Sequence, residues 1–182
     1  PGRLVAGRVS SQALGREIRY QVYLPPCYAG RTASRYPVLF LLHGLSYDEN
    51  QWVRIGATAA ADRLIASGEI PPFLIVFPSD PTWNEPPESG FGEALIADLL
   101  PALDAAYRTL PERGARAVGG LSRGAGWALH LGLTRPDLFA AVGAHSPIVF
   151  VRDASHVDEW LADLPPDLSL RFYVDIGQND SG

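Results

Sequence analysis

The stretch Gly119-Gly-Leu-Ser-Arg-Gly-Ala125 decides the fold, because it sets a serine inside the pattern Gly-x-Ser-x-Gly. Ala115-Arg116-Ala117-Val118 before it is typical of a buried strand, and the pattern from Trp127 onward is helical until Arg135-Pro136. A strand, a sharp glycine turn, a serine and a helix in this order are typical of a nucleophile elbow. The order predicts that Ser122 is a catalytic nucleophile at a helix N-terminus, where negative charge is stabilised. The alternative is an ordinary turn serine.

Composition limits the possible classes of protein. A length of 182 residues fits one domain, and 47% hydrophobic with 19% charged residues indicates a globular chain. The net charge of −5 predicts no nucleic-acid partner. No apolar run approaches the ~20 residues of a membrane span. The single Cys27 weakly favours the cytoplasm, although a chain that opens on Pro1 without any methionine leaves an upstream start and a signal peptide open.

Apolar runs and amphipathic stretches alternate along the chain, which predicts an α/β domain with a mostly parallel sheet and helices on both faces. The predicted strands cover 3–10, 16–24, 37–42, 73–77, 115–119, 139–144 and 170–176. The predicted helices cover 57–66, 91–107, the segment after the serine, and 157–161. Pro101 is expected to kink the long helix.

In sheets of this kind, ligand-binding and catalytic residues lie at the carboxyl ends of the parallel strands. His43-Gly44-Leu45 directly follows the 37–42 strand, and Gly44 is expected to turn the backbone so that the Leu45 amide faces the serine. That amide and the amide of Arg123 would form an oxyanion hole. The alternative is a simple turn that ends the strand.

The acid of a Ser-His-Asp triad holds the histidine in the required tautomer, and in this kind of elbow it follows the serine along the chain. Asp180, in the loop after the last predicted strand, is the first candidate. Asp175, inside that strand, is the second, and a structural turn aspartate is the third interpretation. His145 follows another strand and is expected either to line the acyl or alcohol pocket or to be a satisfied structural histidine.

The histidine is the missing part, because only two residues follow Asp180. The other histidines lie in the oxyanion turn, two turns down the serine helix and on a peripheral helix: His43, His130 and His156. His145 is the only plausible stand-in. We therefore expect residues 1–182 to be one domain that is incomplete at its C-terminus and nearly inactive alone. The general base would lie on a missing segment or on a second chain.

Further stretches carry a resemblance to a known family. They are Gly15-Arg16-Glu17, Val22-Tyr-Leu-Pro-Pro26, Tyr36-Pro37-Val38, Leu42-His43-Gly44, Trp52, Asp98 to Pro101, Tyr107-Arg108-Thr109, the serine motif and Arg135 to Phe139. With them, the chain from about Ser11 to Asp180 resembles the esterase D family of α/β hydrolases. This family includes feruloyl esterases, S-formylglutathione hydrolases, siderophore esterases and mycolyltransferases. Arg123 departs from it by replacing a common methionine, which would add a cation near the pocket mouth.

The resemblance implies a serine carboxylic-ester hydrolase that acts on a small-molecule ester through an acyl-enzyme on Ser122. It also implies Leu45 and Arg123 as oxyanion amides, and Asp180 as the acid. Trp52, with His43 and His145, is a candidate for the substrate pocket, although packing explains it equally well. No cofactor or metal motif is present in the sequence. Two alternatives stay open: an acyltransferase of the same family, and a catalytically dead binding module.

Overall fold

The computed structural model describes residues 1–178 and contains a mixed sheet of seven strands. These are β1 (Arg3–Ser11), β2 (Arg16–Leu24), β3 (Val38–Leu42), β4 (Leu74–Pro78), β5 (Arg116–Leu121), β6 (Ala141–His145) and β7 (Arg171–Asp175). Their spatial order is β1-β2-β4-β3-β5-β6-β7. β1 and β2 form an antiparallel pair, β2 is antiparallel to β4, and the remaining neighbours are parallel. The predicted α/β class and mostly parallel sheet are confirmed.

Helices connect the strands and lie on both faces of the sheet. They are α1 (Gln51–Arg54), α2 (Ala57–Ala66), α3 (Phe91–Ala94), α4 (Leu100–Ala106), α5 (Arg123–Thr134) and α6 (Val157–Ala162). Short 3₁₀ turns cover Arg113–Ala115 and Asp153–Ser155. Within the described range, no helix has the length and apolar character needed to cross a bilayer.

Alternate residues of the central strands feed two separate cores, one on each face. Phe40 and Val76 pack into the larger core with α5, whereas Leu39 and Ile75 pack with α2 on the other side. This alternation is the period-two geometry of a strand. Burying one such side chain contributes roughly 1.5–3 kcal/mol. In contrast, all five residues of β7 are exposed.

The long predicted helix is distorted differently from the expected proline kink. Between α3 and α4, Leu95–Leu99 forms a π-helical turn, and Pro101 follows in the first turn of α4. Proline has no N–H to donate and clashes with the carbonyl four residues earlier. A wider turn just before Pro101 accommodates both demands, and Leu95, Leu99 and Leu103 all stay buried.

Candidate functional site

Ser122 stands between β5 and α5 in a strained backbone conformation. Its φ is 53° and its ψ is −114°, a combination outside the left-handed region that non-glycine residues occasionally adopt. Such strain costs on the order of 1–3 kcal/mol and persists only where the surroundings enforce it. The Ser122 N–H donates to the His145 carbonyl at 2.9 Å, which joins the turn to the neighbouring strand. This geometry is the strand–turn–helix arrangement that the motif predicts.

Two glycines of the motif make this turn possible by their lack of a side chain. A Cβ on Gly120 would lie 2.2 Å from the Gly124 carbonyl carbon and oxygen. A Cβ on Gly124 would lie 2.2 Å from the Leu42 carbonyl oxygen at the end of β3. Both obstacles are backbone atoms, so no side-chain rotation would relieve them. The N-terminus of α5 therefore packs directly against β3.

Backbone strain recurs along the same edge of the sheet. Among the described residues, the non-glycine positions with positive φ are Ser46, Ser122 and Ser146. They follow the ends of β3, β5 and β6 respectively. Strained residues cluster at functional sites in proteins generally, so this edge is the candidate site on backbone grounds alone.

The predicted oxyanion donors have amides available for a ligand. Within residues 1–178, neither the Leu45 N–H nor the Arg123 N–H takes part in a hydrogen bond. Arg123 is the first residue of α5, where amides have no intrahelical acceptor. Leu45 and Arg123 both line a cavity of about 400 Å³. Arg123 directly follows Ser122, and Leu45 lies in the turn after β3 at the same edge of the sheet, although Ser122 itself is not among the residues that line this cavity.

The turn that carries Leu45 is held by hydrogen bonds and not by glycine geometry. Gly44 lacks a positive φ, and a Cβ there would have only ordinary contacts, so the expectation that the turn depends on the backbone freedom of glycine is wrong. The Gly44 N–H instead donates to the buried Gln51 Oε1 at 2.7 Å. His43 Nδ1 lies 2.8 Å from the Gly44 carbonyl oxygen. Sequence reasoning missed Gln51, which belongs to no motif.

His43 is fully engaged in this network, although it also lines the cavity. Its Nε2 accepts a hydrogen bond from the Asp80 N–H at 2.8 Å, so that nitrogen carries no proton. Nδ1 therefore carries the proton and donates it to the Gly44 carbonyl. His43 is 7% exposed and has no free nitrogen for proton transfer.

The Arg123 side chain does not present a free cation at the pocket mouth, contrary to expectation. It is 5% exposed, and its Nε and Nη2 donate to Asp80 Oδ2 at 3.2 and 3.0 Å. The Nη2 group also donates to the Asn84 carbonyl at 2.6 Å. The sequence contains an aspartate, Asp80, that neutralises this charge across the turn after β4, and the motif gave no signal of it.

The cavity wall carries further charged side chains in addition to this pair. Arg8, Arg16 and Arg19 line it together with Glu17 and Asp48. Although burial works in the opposite direction, hydrogen bonds from Asn50 and the Arg54 guanidinium hold the pKa of Asp48 below its usual range. Trp83 and Tyr47 also line the cavity and are 70% and 56% exposed.

His145 and Trp52 lie elsewhere, on the face of the sheet opposite α5. His145 Nδ1 is 3.0 and 3.1 Å from the two Asp175 carboxylate oxygens, and its ring lies 5.7 Å from that of Trp52. The Trp52 indole N–H donates to the Leu42 carbonyl at 2.9 Å. Neither His145 nor Trp52 lines the cavity beside Leu45.

The remaining histidines have partners away from Ser122. His130 Nδ1 lies 2.9 Å from Asp153 Oδ2, and His156 Nδ1 lies 2.8 Å from the Arg152 carbonyl. Within residues 1–178, no hydrogen bond joins the Ser122 hydroxyl to a histidine, and no cluster of three or more metal-binding side chains occurs. Asp180, the predicted acid, lies outside the described residues.

A mixed sheet in this order, with a strained serine between a strand and a helix, defines the α/β-hydrolase fold. Residues 11–181 match the family described as "Putative esterase". The chain therefore belongs to this esterase family, which confirms the resemblance derived from its motifs.

Two curated relatives illustrate the similarity. The chain is 33% identical over 145 residues to an endo-1,4-beta-xylanase/feruloyl esterase of Xylanibacter ruminicola. The aligned region covers 73% of this chain and 20% of the relative. The chain is 34% identical over 170 residues to an esterase of Mycobacterium tuberculosis, and here the aligned region covers 87% of this chain and 35% of the relative. The chain thus spans only part of the length of both relatives.

Solved structures agree on the fold. A ferulic acid esterase superposes with a TM-score of 0.85 and 27% identity over 97% of this chain and 79% of its own. The ferulic acid esterase of Anaeromyces mucronatus, solved in complex with ferulic acid, superposes with a TM-score of 0.82 and 26% identity. The match covers 99% of this chain and 74% of that esterase. An S-formylglutathione hydrolase of Staphylococcus aureus, at 14% identity and a TM-score of 0.76, shares the fold.

Proposed function

We propose that this chain carries the nucleophile and the oxyanion hole of a serine carboxylic-ester hydrolase. The observation that carries the proposal is the strained Ser122 followed directly by the Arg123 N–H, which, like the Leu45 N–H in the turn after β3, has no acceptor among the described residues. Arg123 is 5% exposed, and a buried, unpaired amide is costly unless a ligand satisfies it. Membership of the esterase family supports the same chemistry.

In the proposed reaction, the Ser122 hydroxyl oxygen attacks the ester carbonyl carbon while a general base takes its proton. The carbonyl oxygen becomes an oxyanion, and the amides of Leu45 and Arg123 donate to it. The tetrahedral intermediate collapses as the alcohol leaves with a proton from the protonated base, which leaves an acyl-enzyme on Ser122. Water then attacks the acyl-enzyme by the same steps and releases the carboxylic acid.

We propose that the general base is a histidine outside residues 1–178 and that Asp180 is its acid. His43, His130 and His156 all have their contacts elsewhere, as described above. Two described histidines pair with a carboxylate, His130 with Asp153 and His145 with Asp175. His145 follows β6, next to the strand that leads into Ser122, so it is the alternative base. The base would lie on a further segment of the natural protein or on a second chain.

The preferred substrates are proposed to be esters with an aromatic acyl group. The relatives described above include enzymes named for feruloyl or ferulic acid esters. In this chain, Trp83 and Tyr47 present exposed rings to the cavity beside Leu45. Aromatic rings facing a planar acyl group contribute about 0.5–1.5 kcal/mol beyond the area they bury.

Replacing Ser122 tests the proposal directly. We expect the full-length natural protein to hydrolyse p-nitrophenyl acetate and Ser122→Ala to lose about 10⁴-fold or more of kcat, because the nucleophile is gone. Ser67→Ala, at an exposed position after α2, is the control and should keep full activity. Undiminished hydrolysis by Ser122→Ala would refute the proposal.

The substrate preference is tested by comparing methyl ferulate with p-nitrophenyl acetate. Trp83→Ala should raise KM for methyl ferulate about 3- to 10-fold, equivalent to a loss of about 1 kcal/mol, and leave the acetate ester unaffected. Phe172→Ala, an exposed ring on β7, is the matched control. Equal effects on both esters would show that Trp83 does not contact the acyl group. Adding an alcohol acceptor to the same assay reveals the acyltransferase alternative if a new ester forms.

A further inference from the structure

Asp80 is a buried carboxylate that the proposed reaction does not use. It follows β4 by two residues, and its side chain is 6% exposed. Among the described residues, Asp80 Oδ1 accepts from the backbone N–H of Thr82 at 2.9 Å and from its hydroxyl at 2.7 Å. A carboxylate this deeply buried has a cost unless its contacts offset it, so its partners are informative.

The Asp80 carboxylate contacts α5, the helix that begins directly after Ser122. Oδ2 accepts from the Arg123 guanidinium and, at 3.0 Å, from the Trp127 indole N–H. Arg123 and Trp127 are four residues apart, so they lie on the same face of the first turns of α5. Asp80 therefore fixes the N-terminal end of this helix, where the Arg123 amide lies.

The backbone N–H of Asp80 is linked to the Leu45 amide through His43. The Asp80 N–H donates to His43 Nε2, and His43 Nδ1 donates to the Gly44 carbonyl. The Gly44 carbonyl and the Leu45 N–H belong to one planar peptide unit. Fixing the carbonyl direction thus fixes the direction of the N–H. Gln51 holds the preceding Gly44 N–H from the other side.

We infer that Asp80 is a positioning residue that couples the two oxyanion amides. Its carboxylate orients the Arg123 amide through the side chains of α5, and its N–H orients the Leu45 amide through His43. This inference rests on the proposed function, because positioned amides matter only if an oxyanion forms between them. It accounts for the buried charge of Arg123 and for the tautomer of His43.

The effect should appear in the chemical step and not in substrate binding. Oxyanion donors act on charge that develops in the transition state, and losing one donor lowers kcat about 10²- to 10³-fold. A disturbed but present donor should have a smaller effect. Asp80→Asn keeps the Asp80 N–H but removes the charge that holds Arg123, so we expect kcat in the full-length protein to fall about 10- to 100-fold. KM should change less than twofold.

A second buried Arg–Asp pair provides a matched control for lost stability. Arg116, at the start of β5, donates to Asp104 on α4, and the two side chains are 7% and 26% exposed. This pair lies at the opposite end of β5 from Ser122. Asp104→Asn should lower the thermal midpoint as Asp80→Asn does, but kcat per active site, titrated with a fluorophosphonate, should not change.

Two further variants keep the inference testable if Asp80→Asn folds poorly. Arg123→Met removes the partner charge and keeps the amide, so Asp80→Asn in that background should lower kcat little further. His43→Phe keeps an aromatic ring but removes the hydrogen bonds with the Asp80 N–H and the Gly44 carbonyl, and it should lower kcat about 10-fold with KM unchanged.

The outcomes separate this inference from the proposed function. A selective loss of kcat in Asp80→Asn and in His43→Phe, absent from Asp104→Asn, supports the inference. Normal kcat in both variants, in a protein that Ser122→Ala inactivates, overturns the inference and leaves the proposed function standing. A full-length protein without any esterase activity would overturn both.

Discussion

The two sides of Ser122 are built in different ways. Toward β3 and β4, the side chains that hold the turns are buried and hydrogen-bonded, with Asp80 and His43 at less than 8% exposure. Toward β6 and β7, His145 and Asp175 pair at side-chain exposures of 37% and 45%. Under the proposed function, the buried side would hold the groups that stabilise charge, whereas proton transfer would depend on a base outside the described residues.

Among the variants that test this comparison, Gly124→Ala is expected to have the largest effect on kcat. An alanine in the first turn of a helix normally stabilises it by up to about 1 kcal/mol relative to glycine. Here the new Cβ would meet the Leu42 carbonyl oxygen at 2.2 Å, so the elbow has to move. We expect kcat for p-nitrophenyl acetate to fall about 10²-fold or more, comparable to the loss of an oxyanion donor. The thermal midpoint should also fall.

Gly30→Ala is the control for this prediction, since a Cβ there has no atom within 4 Å and Gly30 lacks a positive φ. It should leave both kcat and the thermal midpoint nearly unchanged. Normal activity in Gly124→Ala would mean that the elbow tolerates displacement and that the buried side of Ser122 is not preorganised.

A smaller effect is expected from Trp52→Phe, which tests whether Trp52 belongs to the site or to the core. The change removes the hydrogen bond to the Leu42 carbonyl and keeps an aromatic ring. Unfolding in urea should show a loss of about 1–2 kcal/mol, and KM should stay within twofold. A large rise in KM with unchanged stability would instead place Trp52 in the substrate pocket.

The smallest effect is expected from His145→Ala in the full-length protein. If the base lies outside residues 1–178, removing this exposed imidazole should change kcat less than about threefold, within the range of surface substitutions. Asp175→Asn should behave in the same way. A loss of about 10³-fold in either variant would instead identify His145 as the general base and Asp175 as its acid.

Much of the fold could be predicted because its signals are local. Val38–Leu42 and Leu74–Pro78 lie within one residue of the predicted strands, since apolar runs of this length fit a strand buried on both faces. β6 begins two residues later than predicted, because Phe139 is apolar but packs against Phe40 before the strand starts.

The network around the site could not be predicted in the same way. Asp80 lies between Pro78 and Pro81 in a segment without periodicity. Gln51 resembles any other polar residue of a helix. Their roles depend on which loops meet at the carboxyl edge, and this is a tertiary property. The serine motif pointed to Ser122 and Arg123, and the turn after β3 pointed to Leu45. The groups that form the hydrogen-bond network around them come from the turn after β4 and from α1.

The π-helical turn at Leu95–Leu99 has a consequence for engineering the chain length. A π turn is one residue wider than an α turn, so deleting a single residue there would restore an ordinary helix. The same deletion would leave the downstream positions on their present faces, because the wider turn already absorbs one residue more than an α-helix needs. Leu103, now 2% exposed, would stay buried. Deleting one residue from an ordinary α-helical segment such as α5 would instead rotate every downstream position by about 100°.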